Sequence, residues 1–204
     1  MEFIYEHENF LPSDICKQLI NKFETSEEQQ ITGQVGEGKV NINMKKSVDL
    51  ALSGTECDMI RKFLRNAYKY YHTKMCLEDT ASEVNISNPV IQKTEVDGFY
   101  NWHTDNDTGN NNRICAIIIY LNDVEESQGG TTDFKFPDRI ESIQPKTGKL
   151  LMFPSHCTYL HRGSILKKGN KYIITSFVLY HKNDKLTRIH EDILDEYKLK
   201  FVMR

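Results

Sequence analysis

The sequence predicts an α+β domain in which helices back one sheet of an antiparallel sandwich or jelly roll. Three observations carry this expectation. The first third of the chain holds two stretches with apolar residues at helical spacing, whereas from about residue 84 short runs rich in β-branched and aromatic residues take over. Those runs are separated by tight-turn chemistry such as Asp97-Gly98, Gly129-Gly130 and Lys168-Gly169-Asn170. Helices followed by many strands give a layered architecture, because each element has one apolar face to bury against another layer. At 204 residues the chain has the size of a single domain, 1–204. Within it, 1–83 reads as supporting helices and a loop, 84–180 as the strand-built core and 181–204 as a C-terminal helix.

The elements follow in order. Ser13 stands before Ile15, Leu19, Ile20 and Phe23, an apolar stripe that predicts a helix over 13–25 with the serine capping its start. Gly33, Gly36 and Gly38 then mark a loop or loose hairpin, either a lid over a site or a solvated linker. Thr55 with Asp58 resembles a capping pair, and Ile60, Phe63, Leu64, Ala67 and Tyr71 form one face of a second helix. Strands are expected over 84–96, 113–121, 131–136, 139–143, 149–153 and 171–180. The almost unbroken apolar run from Ile114 to Leu121 suits a strand buried on both faces. Segments 150–154 and 171–177 read as two neighbouring core strands. Leu186, Ile189, Ile193, Leu194 and Tyr197 predict the closing helix.

Composition removes several classes of function. A formal net charge of -3 and the absence of a basic, aromatic-interleaved stripe argue against nucleic acid as a partner. The N-terminus lacks a basic start followed by an apolar core, and no run approaches the roughly 18 residues of a membrane span, so a cytoplasmic location without a membrane partner is expected. Five scattered cysteines without a Cys-x-x-Cys pair suggest reduced thiols, with neither a disulfide framework nor a structural zinc site.

Chemistry concentrates in His103-Thr104-Asp105, His161 and Lys171. Side chains at i and i+2 of a strand project from one face, so an imidazole and a carboxylate can grip one metal ion, with His161 as third ligand. Two histidines and one carboxylate leave part of the coordination sphere open, the arrangement of non-haem Fe(II) oxygenases. His156, five residues before His161 in a Pro-Ser-His-Cys-Thr loop, is the rival third ligand. A lysine opening a buried strand is costly unless an anion meets it, so Lys171 calls for a carboxylate partner. Tyr100 and Trp102 read as an aromatic pair at a substrate entrance or, equally, as core.

These residues carry a family resemblance. The stretch from about 90 to 180 resembles the Fe(II)- and 2-oxoglutarate-dependent dioxygenases, within them the prolyl 4-hydroxylase branch. Tyr100-Asn101-Trp102-His103-Thr104-Asp105 is similar to that branch's metal-binding strand, Gly129-Gly130-Thr131-Thr132-Asp133-Phe134 to its glycine turn and strand, and Gly148 to Pro154 to the strand that follows. His161 followed at the tenth position by Lys171 has the family's spacing between distal histidine and basic residue.

The resemblance implies a double-stranded β-helix that holds Fe(II) on His103, Asp105 and His161. It also implies 2-oxoglutarate anchored by Lys171 with Tyr120 and Thr175 beside it, dioxygen as the second cosubstrate, and L-ascorbate as reductant. The implied reaction is hydroxylation of an unactivated C–H bond, with 2-oxoglutarate decarboxylated to succinate. The implied substrate is a prolyl residue in a peptide or protein; a free amino acid or other small molecule, or a non-catalytic binding module, are the alternatives. Thr94, with Lys93 beside it, stands where many members of the branch carry tyrosine.

Overall fold

The computed structural model describes residues 3–36, 38–75, 84–106 and 109–180. The closing helix expected over 181–204 lies outside them.

Helix α1 (Ser13–Glu24) buries Cys16, Leu19 and Phe23, and α2 (Gly54–Lys74) buries Cys57, Ile60, Leu64, Ala67, Tyr68 and Tyr71. The three- and four-residue spacings put each set on one face. The caps differ from expectation: Pro12 precedes α1 and Ser53 precedes α2, and neither start has a side-chain cap bond. Proline suits that place because its fixed φ presets the entry and the missing N–H would have had no helical acceptor. Among the described residues no helix is long and apolar enough to cross a membrane. The described cysteines Cys16, Cys57, Cys115 and Cys157 are free thiols.

Fifteen strands, numbered along the described chain, form two antiparallel sheets and a small hairpin. The larger sheet runs β1 (Tyr5–His7), β13 (Leu150–Pro154), β10 (Arg113–Tyr120), β15 (Lys171–Tyr180), β8 (Val90–Thr94), β6 (Val48–Ala51) and β2 (Ile31–Thr32), with β7 (Val84–Ile86) beside the far half of β15. The smaller sheet runs β12 (Ile140–Ile143), β11 (Thr132–Lys135), β14 (His161–Gly163), β9 (Phe99–His103) and β5 (Lys45–Lys46). Strands β3 (Gln34–Val35) and β4 (Lys39–Val40) make the hairpin.

Three sequence expectations change. The single strand over 84–96 is two, β7 and β8, separated at Ser87-Asn88-Pro89, where proline has no N–H for the ladder. Strands β13 and β15 are not neighbours: β10 lies between them and pairs with both. A strand buried on both faces can also bury both edges, and the sheet centre uses that. The first 83 residues supply strands to both sheets as well as helices.

Alternation along β10 and β15 defines the layers. Cys115, Ile117 and Ile119 join Tyr172, Ile174 and Val178 in one core with the helices, while Ala116, Ile118 and Tyr120 join Ile173 and Phe177 in a second core between the sheets. Each fully buried Ile or Leu in these layers contributes roughly 1.5–3 kcal/mol relative to exposure. The larger sheet is thus a rigid partition, with the helices behind it and a cavity in front.

Candidate metal centre and its cavity

Strands β9 and β14 set the two histidines side by side. His103 ends β9, His161 opens β14, and the two are register partners. Asp105 does not continue the strand as the i, i+2 reading assumed; it lies in the bend beyond, where its backbone carbonyl accepts from Arg113 Nη1 at 3.0 Å. The next residue, Asn106, donates its N–H to Ser155 O at 3.0 Å. The bend turns the carboxylate back: Asp105 Oδ1 is 3.7 Å from His103 Nε2 and Oδ2 is 3.5 Å from His161 Nε2. One ligand atom from each residue lies within 4.8 Å of the others. The rival His156 is exposed, its Nδ1 3.4 Å from Thr158 Oγ1, and it stands outside this group.

Both imidazoles are oriented for coordination. His103 Nδ1 donates to Asn101 O at 2.8 Å and His161 Nδ1 to Tyr159 O at 2.9 Å. A carbonyl accepts only, so the proton sits on Nδ1 and the Nε2 lone pair faces the cluster. Burial, and then the adjacent His161, hold the His103 imidazole well below its ordinary pKa, which keeps it neutral and able to ligate. Two imidazole nitrogens and one carboxylate, all on one side of a common point, fit a divalent iron with open positions opposite.

A cavity of about 380 Å³ opens beside the cluster and reaches across the face of the larger sheet. Lys171, Ile173, Thr175 and Phe177, alternate residues of β15, line it. Lys171 is 4% exposed and donates to Gly130 O at 2.8 Å. That carbonyl is presented by a glycine at φ +69, where an added Cβ would meet Leu166 Cδ1 at 2.8 Å, so the turn requires its glycine. Among the described residues no carboxylate pairs with Lys171, and burial lowers its pKa to about 8. The expected carboxylate partner is not found among the described residues, where Asp133 acts on Lys171 only through its charge, and the ammonium faces the cavity, placed to meet an external anion.

The remaining sequence-read residues fall in different places. Tyr120 is wholly buried and reaches the cavity wall only through Thr132, whose Oγ1 accepts its hydroxyl at 2.7 Å. Burial raises its pKa, so it stays a phenol. Thr94 lines the cavity directly across the ladder from Lys171, while Lys93 points away to Glu24 and Glu95. Tyr100 lines the cavity, but Trp102 does not: its indole lies between Arg162, 4.6 Å away, and Lys135, 6.0 Å away. The reason is a bulge. His161 and Gly163 pair with His103 and Tyr100, with one residue between the pairs on β14 and two on β9, so simple alternation fails and the Tyr100 and His103 rings meet.

Sequence reading missed part of the wall. Lys45, Ser47, Asp49 and Gln92 line one end of the cavity, and Arg113 another. Gln34, Val35, Gly36 and Gly38 border it too, placing the glycine-rich hairpin at the cavity. A charged residue in a polar stretch gives no sign of burial; only the cross-sheet ladder reveals it.

Residues 90–179 match the family model described as the 2OG-Fe(II) oxygenase superfamily. The matched segment is 90 of the 204 residues, and it is similar to that superfamily. A PKHD-type hydroxylase of Synechococcus sp. (strain CC9902) is 28% identical over 72 residues, 33% of this chain, and the match spans about a third of that relative's length (32%). Solved prolyl hydroxylases share the fold of this chain. One from Trichoplax adhaerens, in complex with a hypoxia inducible factor peptide fragment, superposes with a TM-score of 0.74 at 19% identity, covering 88% of this chain and 84% of its own. A Pseudomonas putida prolyl-4-hydroxylase gives 0.71 at 14% identity, covering 89% and 94%. The 2OG complex of the viral collagen prolyl hydroxylase from Paramecium Bursaria Chlorella virus-1 gives 0.67 at 21%, covering 88% and 97%.

Proposed function

We propose that this protein is an Fe(II)- and 2-oxoglutarate-dependent oxygenase that hydroxylates a prolyl residue in a peptide or protein. One observation carries the reading: two Nε2 atoms and a carboxylate oxygen converge within 4.8 Å beside a cavity whose buried lysine has no carboxylate partner among the described residues. In this reading the facing sheets form a double-stranded β-helix, with 84–180 as catalytic core and the earlier residues supporting it.

His103, Asp105 and His161 would hold Fe(II), and Lys171 the distal carboxylate of 2-oxoglutarate. Thr175 lies on the same face of β15, and Tyr120 steadies Thr132 at the wall. Bound iron and 2-oxoglutarate with dioxygen supply the oxidising chemistry, in which decarboxylation to succinate and carbon dioxide accompanies hydroxylation of a C–H bond. The chain's own share is positioning and dryness. Phe134 and Phe153 pack against His161 and keep water from that side. Arg113 holds the Asp105 carbonyl and lays its guanidinium over Phe177, with Cζ 3.8 Å from the ring centroid, so the third ligand is braced from the cavity wall. A peptide substrate is favoured by the shared fold with a peptide-bound prolyl hydroxylase.

The test is succinate production with proline-containing peptides under Fe(II), 2-oxoglutarate and ascorbate, with mass spectrometry for the gain of one oxygen on proline. His103→Ala and Asp105→Ala should abolish both signals. Oxygen gained only by free amino acids would move the substrate assignment; full succinate output from either variant would reject the metal assignment.

A further inference from the structure

The two histidines of the cluster are steadied differently. His161 rests against Phe153 at 4.7 Å and Phe134 at 5.8 Å, both core rings with no exposure, which packing alone fixes. His103 is covered instead by Tyr100, with ring centroids 3.5 Å apart and planes within 15°. Tyr100 is only half-buried and belongs to the wall of an open cavity. A ring in that position has room to change rotamer unless something stands behind it.

Lys45 stands there. It is the register partner of Tyr100, and its Nζ lies 5.4 Å from the Tyr100 ring centroid. The ammonium is in turn immobilised: it donates to Asp49 Oδ2 at 2.7 Å and, more weakly, to Gln34 O at 3.4 Å. Asp49 Oδ1 accepts from Ser47 Oγ at 2.8 Å and Oδ2 also from Gln92 Nε2 at 3.3 Å. Lysine and aspartate are 3% and 6% exposed. A buried ion pair gains little net stability over an apolar replacement, so its use at a cavity wall calls for a positional reason.

We propose that Tyr100, pinned by the Lys45–Asp49 pair, is a positioning residue for His103: a wedge that fixes the imidazole plane and keeps Nε2 aimed at the metal. The inference rests on the metal assignment above. The Lys45 ammonium and the His103 imidazole both contact the Tyr100 ring, by cation–π attraction and by face-to-face stacking, and together they restrict it. Lys45 and Asp49 act through Tyr100.

Co(II) titration of the metal-free chain, followed by calorimetry and by the visible ligand-field absorption, reads this without turnover. His103→Ala separates the two claims: if it binds Co(II) as the parent does, the metal assignment falls and takes the wedge with it. With binding lost in that variant, Tyr100→Leu should weaken Co(II) affinity by about tenfold and shift the absorption, and Tyr100→Phe, which keeps the ring, should return it to within about twofold of the parent. Lys45→Met should weaken it by about threefold or more and Lys45→Arg recover most of that. Tyr100→Leu within about twofold of the parent, or Tyr100→Phe as weak as Tyr100→Leu, overturns the proposal. Should Tyr100→Leu fail to fold, the Lys45 pair decides, and parent-like affinity and absorption in Lys45→Met overturn it.

Discussion

Lys171 carries a charge where the surroundings oppose one. Burial brings its pKa down to about 8, against roughly 10.4 in an unfolded chain. Between those two values the unfolded chain binds more protons, so this residue makes stability rise as pH climbs from about 8 toward 10; below 8 the folded chain carries the full desolvation penalty. Lys171→Met should therefore raise the stability of the ligand-free protein at pH 7 by roughly 1–3 kcal/mol, read by thermal unfolding, while weakening 2-oxoglutarate binding by roughly 1.5–3 kcal/mol. An arriving dicarboxylate favours the ammonium again. Affinity for 2-oxoglutarate should be level below pH 8 and decline above it, with proton uptake visible as a buffer-dependent heat in calorimetry. Constant affinity well into the alkaline range would show that Lys171 is not the anchor.

Strands, rather than single residues, determine how the cluster is assembled. β14 brings His161 against Phe134 and Phe153, whose rings meet each other edge-on at 4.8 Å. Phe153→Ala should cost about 3–5 kcal/mol in denaturant unfolding, through lost burial and the hole it leaves, and should loosen His161 enough to lower metal affinity as well. The spacing of His103, Asp105, His161 and Lys171 was legible as a motif; β9 and β14, which carry the histidines, were not among the expected strands, whereas Lys171 was legible as a strand start because an apolar run follows turn residues there. The double-sided burial of β10 was legible for the same reason: its run of apolar residues leaves no polar face. What could not be read is the bulge between β9 and β14. One unpaired residue reverses which aromatic faces the cavity, so Tyr100 joins the site and Trp102 leaves it, although plain alternation would have kept them together. Lys45 and Asp49 were equally hidden. Nothing local distinguishes them from solvated charges, because their burial depends on β5 and β6 reaching two different sheets.

At the scale of the molecule, that ion pair is a tie between layers: Lys45 belongs to the smaller sheet and Asp49 to the larger. Asp49→Ala should destabilise the protein by about 3–5 kcal/mol because it strands a buried ammonium, whereas Lys45→Met combined with Asp49→Leu should recover most of that loss. Chemical denaturation of both variants measures the difference, and equal losses would show that the pair is not electrostatically coupled. The partition formed by the larger sheet has a different outcome for the history of such chains. In β15, Tyr172, Ile174 and Val178 look toward the helices, and Lys171, Thr175 and Phe177 toward the chemistry. Inheritance along this single strand should then be striped. One set of alternate positions should be free to drift among residues of similar bulk as the helices drift with them, and the interleaved set should be held to particular functional groups.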